Sequence, residues 1–182
     1  MRLFKIRAVA FVLVIILAGC DNTISLSQPP TGGRIELSVY FDTFENIIKR
    51  TLSAGVGAQI SIAMYDWTVD ALSQEIRRVV SSNAQTKVQI LLSSEGGGGK
   101  DEIAICISLQ SFHSRVEVRK RSNMHHKFAV IGPNLTLTGS PNWTKNSLEV
   151  EANNLVVINS VDIASAYRNE FERVWKNANE KC

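Results

Sequence analysis

The stretch that decides the fold runs from residue 124 to residue 144 and reads MHHKFAVIGPNLTLTGSPNWT. It contains two short runs rich in apolar and β-branched residues, at 127–131 and 135–138, separated by Gly-Pro-Asn at 132–134. Runs of this length and composition favour strands, and Gly, Pro and Asn favour a turn. The stretch therefore predicts two successive strands joined by a tight connection.

Strand and helix patterns alternate on both sides of this pair. Further strands are predicted at residues 35–41, 58–65, 87–92, 116–118 and 154–158, and helices at 44–52, 69–80, 102–112 and 161–176. Such alternation favours an α/β fold with a mixed β-sheet and helices on both faces, because each amphipathic helix must bury its apolar side against the sheet. A length of 182 residues, 45% of them hydrophobic, suits one such domain, which we place at 34–182.

The first twenty residues differ from the rest. Three basic residues precede an uninterrupted apolar run from residue 8 to residue 18, which is typical of an export signal and too short for a membrane span of about 20 residues. The sequence Leu-Ala-Gly-Cys at 17–20 resembles the bacterial lipobox, which implies cleavage before Cys20 and acylation of its thiol. An ordinary cleavage site is the alternative.

This reading predicts a signal peptide at 1–19 and a tether at 20–33, rich in Ser, Thr, Pro and Gly. Acyl chains on Cys20 would anchor the domain to a membrane of the bacterial cell envelope. The domain would be extracytoplasmic, on the periplasmic side in a Gram-negative cell.

Charge does not identify a partner. Of the 20 Lys and Arg residues, three precede Cys20, so the remaining 17 balance the 17 Asp and Glu residues, all of which follow it. A neutral mature domain gives no general reason for nucleic-acid binding. Residues 115–121 contain four basic side chains, which could form a local approach for phosphate groups or a solvated strand face.

Cys106 and Cys182 are the other two cysteines. An oxidising compartment would permit them to pair within one chain or between chains. The sequence does not choose between these arrangements.

The residues before the first strand of the pair can carry chemistry. In an extended segment, side chains two residues apart share a face, so His125 and Lys127 should point together while His126 points away. An imidazole can attack phosphorus, and a neighbouring ammonium group can stabilise the charge on the non-bridging oxygens. This pair suits a phosphodiester.

A second group of residues follows the second strand. Gly139 allows the backbone to approach a ligand closely, and Ser140 and Asn142 can donate hydrogen bonds to phosphate oxygens. We therefore take Lys127, Ser140 and Asn142 as candidate phosphate ligands.

His-x-Lys followed after eleven residues by Gly-Ser-x-Asn resembles the phospholipase D superfamily, in its small single-motif branch. Ala63-Met64-Tyr65-Asp66 also matches, and the resemblance covers roughly residues 34–176. It implies an α/β/α sandwich that hydrolyses phosphodiester bonds of phospholipid or nucleic acid without a metal or other cofactor. His125 would form a phosphohistidine intermediate. Because the chain has one His-x-Lys, the resemblance also implies a homodimer in which two copies share one active site.

Two positions depart from the family pattern. Gly132 stands where the family has an aspartate that supports the motif, and Asn153 stands where it has a glutamate that orients the nucleophilic histidine. An amide oxygen can orient imidazole but carries no charge. If residues 149–153 form a strand, Glu149 and Glu151 share a face with Asn153, and either could replace the missing carboxylate only through a bulge or register shift. The alternative function is therefore a catalytically impaired lipoprotein that binds phosphate or nucleic acid.

Overall fold

The computed structural model describes residues 35–97 and 99–182. The predicted signal peptide at 1–19, the tether at 20–33 and the acylation site Cys20 lie outside the described residues. No helix within the described ranges is long and apolar enough to cross a membrane.

Strands and helices alternate along the described chain. The strands are β1 Glu36–Tyr40, β2 Gln59–Met64, β3 Lys87–Ser93, β4 Val116–Arg121, β5 Lys127–Ile131, β6 Leu135–Gly139 and β7 Leu155–Asn159. The helices are α1 Phe44–Ser53, α2 Asp70–Ser82, α3 Gly99–Gln110, α4 Lys145–Glu149 and α5 Val161–Trp175. The predicted strands and helices are confirmed, with ends shifted by up to three residues. Residues 149–153, considered above as a possible strand, do not form one, because α4 ends at Glu149 and an irregular segment follows it.

The strands form one mixed sheet in the order β1-β7-β6-β5-β2-β3-β4. β2, β3 and β4 are parallel, and the remaining neighbours are antiparallel. Helices α1 to α4 cover one face with a large apolar core, and α5 covers the other with a smaller one. Phe44, Ile48 and Leu52 show why α1 packs there, since their four-residue spacing aligns them on one buried side. The predicted α/β/α sandwich is confirmed.

The C-terminal tail crosses one edge of this sheet. Ala178 is buried on the α5 face, and the Lys120 backbone N–H then donates a 2.8 Å hydrogen bond to the Glu180 carbonyl. This bridge covers the outer edge of β4, which would otherwise expose unpaired backbone groups. The tail ends on the opposite face, where Cys182 forms a disulfide with Cys106 of α3. The cysteine pairing that the sequence left open is therefore within one chain.

The basic residues of β4 do not form an open patch. The Arg119 guanidinium lies 4.4 Å from the centroid of the Trp175 ring, and Arg121 donates a 3.3 Å hydrogen bond to the Val174 carbonyl. The Val174 carbonyl belongs to the last turn of α5, where helix carbonyls lack partners within the helix. Arg115 binds backbone carbonyls at the other end of the sheet. Packing, rather than an approach path for substrate, accounts for these three side chains.

Gly132 lies in the turn between β5 and β6 and has a φ of 59°. Glycine adopts this left-handed conformation without steric cost. The Gly132 N–H donates to the Gln59 carbonyl at 2.9 Å, and Arg168 donates to the Gly132 carbonyl. Because β5 runs away from His125, Gly132 lies roughly 20 Å along the chain from it, at about 3.3 Å per residue. The loss of the family aspartate at this position therefore changes a remote turn.

Candidate active site

Four strand ends meet at one end of the sheet, and they carry the predicted site residues. They are the C-terminal ends of β2 and β6 and the N-terminal ends of β5 and β7. His125, Lys127 and Ser140 line one open cleft of about 690 Å³, which continues along α5 past Tyr167 and Glu170. Asn142 and Asn153 are not among the described residues that line this cleft.

His125 is exposed at the mouth of the cleft. Its Nδ1 lies 3.4 Å from the Lys127 Nζ, which confirms that the two side chains share a face. An ammonium group can only donate a hydrogen bond, so this contact favours the tautomer with the lone pair on Nδ1 and the proton on Nε2.

Lys127 is partly buried beside this imidazole. Its Nζ also lies 3.3 Å from the His125 carbonyl oxygen and 5.0 Å from the centroid of the Tyr65 ring. Burial lowers the pKa of the Lys127 ammonium, and the negative charge of Asp66 acts in the opposite direction. An ammonium group that has lost part of its water shell is suited to pair with a phosphate oxygen.

Tyr65 is a site residue to which sequence reasoning gave no role. Its ring centroid lies 4.3 Å from that of His125, at an interplanar angle of 53°. Its hydroxyl donates a 3.1 Å hydrogen bond to the Glu95 carbonyl, which fixes the ring. Its position directly after β2, whose neighbour is β5, is the sequence signal that could have identified it. Tyr65 supplies a wall that restricts the orientation of the imidazole.

Gly139 and Ser140 are held against the start of β7. The Ser140 N–H donates to the Asn154 carbonyl at 3.0 Å, and the Asn154 N–H donates to Ser140 Oγ at 3.0 Å. A Cβ atom on Gly139 would lie 2.2 Å from the Asn154 oxygen. The sequence suggested that Gly139 makes room for a ligand, whereas the structure shows that it makes room for the neighbouring strand.

We predict that Gly139→Ala lowers the free energy of unfolding by about 2 kcal/mol, the usual cost of overpacking, because the added methyl group must displace backbone. Urea unfolding measures this change. The control is Gly97→Ala, since the atom nearest to a Cβ there is Asp66 Oδ2 at 3.6 Å, an ordinary contact. Equal stability of Gly139→Ala and wild type would contradict the prediction.

The Asn142 Oδ1 is buried and accepts no hydrogen bond from any residue in the described ranges. A buried oxygen without a donor costs about 1–3 kcal/mol unless water or a ligand completes it. The backbone around it is fixed, because the Trp143 N–H donates to the Asp66 carbonyl at 2.9 Å and the Trp143 ring is buried against Trp67. Asn142 Oδ1 is therefore an acceptor without a donor among the described residues.

The resemblance to the family led us to expect that Asn153 orients His125. It does not. Its Oδ1 instead accepts a 2.6 Å hydrogen bond from the Ser140 hydroxyl, and its Nδ2 donates 2.9 Å to the Ser147 carbonyl. No hydrogen bond joins Asn153 to His125 within residues 35–97 and 99–182. The physical reason is the turn after α4, which directs the amide towards Ser140.

The sequence predicted that His126 points away from His125 and Lys127, and the structure turns its ring towards Glu170 of α5. Its Nε2 lies 2.9 Å from Glu170 Oε1, and its ring makes an edge contact with Phe128. The Arg173 guanidinium, followed by His126, lowers the pKa of the Glu170 carboxyl to about 2, although partial burial opposes the shift. His126 thus belongs to an ion-pair cluster on the wall of the cleft.

The described residues contain no group of three or more His, Cys, Asp or Glu side chains that could hold a metal ion.

Comparison with known proteins identifies the family of this chain. The sequence model of the family described as "Cardiolipin synthase, PLD-like domain" matches residues 47–175. The mitochondrial cardiolipin hydrolase of Xenopus laevis is 43% identical over 53 residues, which are 29% of this chain and 25% of that protein. The Canis lupus familiaris hydrolase is 23% identical over 158 residues, 84% of this chain and 58% of that protein. The matches therefore span well under two thirds of these relatives.

Two solved structures share the fold. NucT from Helicobacter pylori superposes with a TM-score of 0.69 at 18% identity, covering 81% of this chain and 99% of that one. Nuc from Salmonella typhimurium, described as a phospholipase D family member, gives 0.69 at 19% identity, covering 80% and 97%. At such identities the superpositions show the fold alone. Because the family match extends over more than half of the 182 residues, this chain belongs to the phospholipase D-like domain family.

Proposed function

We propose that this protein hydrolyses phosphodiester bonds and that His125 is the nucleophile. The observation that carries the proposal is the pairing of His125 Nδ1 with Lys127 Nζ at 3.4 Å, at the mouth of an open cleft. The partly buried Lys127 cation can attract a phosphodiester anion, which a neutral surface would not do. The exposed imidazole beside it can then approach phosphorus.

The reaction would proceed in two displacements. A His125 ring nitrogen attacks phosphorus, the N–P bond forms, and the P–O bond to the alcohol breaks. The leaving oxygen takes a proton from an acid. Water then loses a proton to a base and attacks phosphorus, the N–P bond breaks, and a phosphomonoester is released. Lys127 and the Asn142 Nδ2, the donor end of that amide, would hold the phosphate oxygens, so no step calls for a metal.

The acid and base are proposed to come from a second copy of the chain. His125 cannot protonate the leaving group in the step in which it attacks, and a symmetry-related His125 in a homodimer can. Exposed apolar side chains support this arrangement, because Phe41 and Val150, at 74% and 75% exposure, lie at the same end of the sheet as the cleft. A second copy packed there would cover them.

Subunit exchange tests the shared site. A tenfold excess of His125→Ala subunits is added to wild type and allowed to exchange. The activity per wild-type subunit should fall sharply, because most wild-type subunits then lack a competent partner, whereas independent subunits would keep their full activity. A protein that sediments as a monomer and turns over substrate at the same rate would exclude the shared site.

The proposed substrate is a phosphodiester of phospholipid or nucleic acid. The names of the relatives point to cardiolipin and those of the solved structures to nucleases, so both classes enter the proposal. Acylation of Cys20 would not decide between them. Fourteen residues separate Cys20 from Ile35, which lies at the end of the sheet remote from the cleft. Fully extended, they reach about 50 Å, more than the sheet's roughly 20 Å length.

The test is hydrolysis by residues 21–182 in EDTA, with bis(p-nitrophenyl) phosphate, single- and double-stranded DNA, RNA and cardiolipin vesicles as substrates. The proposal expects turnover of the generic diester and of one natural class.

One observation favours the second candidate, an impaired phosphate-binding protein: no carboxylate accepts a hydrogen bond from His125 within the described residues. Binding of inorganic phosphate without turnover on any substrate would establish that candidate instead.

A further inference from the structure

The segment after α4 holds a carboxylate that accepts three side-chain hydrogen bonds. Glu151 accepts hydrogen bonds from Asn146 Nδ2 at 2.6 Å, Ser147 Oγ at 2.5 Å and Asn153 Nδ2 at 3.2 Å. These bonds lower the pKa of the Glu151 carboxyl, that from Ser147 most strongly, so the group carries its charge at neutral pH. Three donors converge on one anion two residues before the position where the family has glutamate.

The environment of Asn153 is matched to an amide. On one side, its Nδ2 faces two acceptors, Glu151 Oε2 and the Ser147 carbonyl. On the other, its Oδ1 faces the Ser140 hydroxyl at 2.6 Å. Only a group with a donor on one side and an acceptor on the other satisfies both. A carboxylate at position 153 would place oxygen against oxygen.

We propose that Glu151 is a positioning residue of the active site, acting through Asn153 on Ser140. The hydrogen bonds from Asn153 Nδ2 fix the amide, and the amide then holds the Ser140 proton. Since the Asn154 N–H already donates to Ser140 Oγ, the hydroxyl is left with one lone pair and no proton to offer. Ser140 therefore meets the cleft as an acceptor for an N–H or O–H group, such as attacking water, rather than as a phosphate donor.

This inference rests on the proposed function only where it has Ser140 accept a hydrogen bond from substrate or water. It also makes the effects of substitutions at residues 151 and 153 depend on each other. In the variant Asn153→Glu, which restores the family glutamate, a carboxylate that takes the place of the amide would lie about 3 Å from that of Glu151, since the present Nδ2–Oε2 distance is 3.2 Å. Two such groups do not both ionise, and one pKa rises. The substitution should therefore impair this chain unless the Glu151 charge is removed at the same time.

Four proteins test the coupling: wild type, Asn153→Glu, Glu151→Gln and the double variant. We expect each single change to lower kcat about tenfold with little effect on KM, within the range for coupled neighbours. Asn153→Glu should add a titration to the pH profile of kcat, owing to the raised carboxyl pKa. The double variant should recover at least wild-type kcat and lose that titration. The control is Glu149→Gln, an exposed residue of α4 whose carboxylate lies 3.9 Å from the Lys145 Nζ, which should leave kcat unchanged.

Additive effects would overturn the inference, as would an Asn153→Glu variant that gains activity in the wild-type background. Failure of this inference can be distinguished from failure of the proposed function, because thermal unfolding measures the coupling between Glu151 and position 153 without any turnover. A carboxyl with a raised folded-state pKa contributes less stability as pH rises from its unfolded pKa towards its folded one. Asn153→Glu should lose stability over that window, and the double variant should not. If both variants show the same pH dependence, Glu151 and position 153 are not coupled.

Discussion

Replacing His125 by alanine should lower kcat for phosphodiester hydrolysis by about 10⁴-fold or more, as expected when a covalent nucleophile is removed. Neither the neighbouring ammonium of Lys127 nor the amide of Asn142 can form the bond to phosphorus in its place. Because His125 is exposed, the change should leave the melting temperature within about a degree of wild type. Steady-state kinetics on a generic diester measures the effect.

The matched control is His113→Ala. His113 is also exposed, but it precedes β4 at the end of the sheet remote from the cleft, where its Nδ1 accepts a hydrogen bond from the Arg115 N–H. This variant should keep wild-type kcat and KM. A His125→Ala protein that retained a tenth of the wild-type rate would rule out His125 as the nucleophile.

Removal of the disulfide is the second large expected effect. Cys106 and Cys182 are 76 residues apart, and closure of a loop of that length stabilises a fold by about 4 kcal/mol through the entropy of the unfolded chain. Cys182→Ser should therefore lower the free energy of unfolding by about that amount. It also releases the tail that covers the edge of β4. Urea unfolding under non-reducing conditions gives the value.

Two comparisons isolate the covalent bond. Wild type treated with dithiothreitol should unfold like Cys182→Ser, and the same treatment should not destabilise the variant further. The double variant Cys106→Ser/Cys182→Ser should match the single one apart from small packing differences at Cys106. A loss below about 1 kcal/mol would show that the tail and α3 remain together without the bond.

The regular elements could be predicted because local patterns determine them. The apolar runs of β5 and β6 and the spacing of Phe44, Ile48 and Leu52 in α1 record burial directly in the sequence. Helix α4 was missed because five polar-rich residues form little more than one turn and show no periodicity. The start of α3 at Gly99 was missed because glycine disfavours a helix interior.

The site could be predicted where the motif spacing determines it. His125 and Lys127 share a face because strand geometry requires it. The partners of Asn153 depend on the path of the chain after α4, and treating residues 149–153 as a strand placed Glu151 about 6.6 Å away along a strand face. The Cys106–Cys182 pair depends on a tail that crosses the sheet edge, a contact between distant parts of the chain.

The covalent intermediate tests the central claim most directly. Residues 21–182 would be mixed with a diester carrying ³²P, quenched with alkali during turnover and digested for peptide mapping. We predict acid-labile, alkali-stable label on the peptide that contains His125, and none on the same peptide of His125→Ala. Steady turnover with no label on that peptide, or with label on another residue, would contradict hydrolysis through a phosphohistidine at this site.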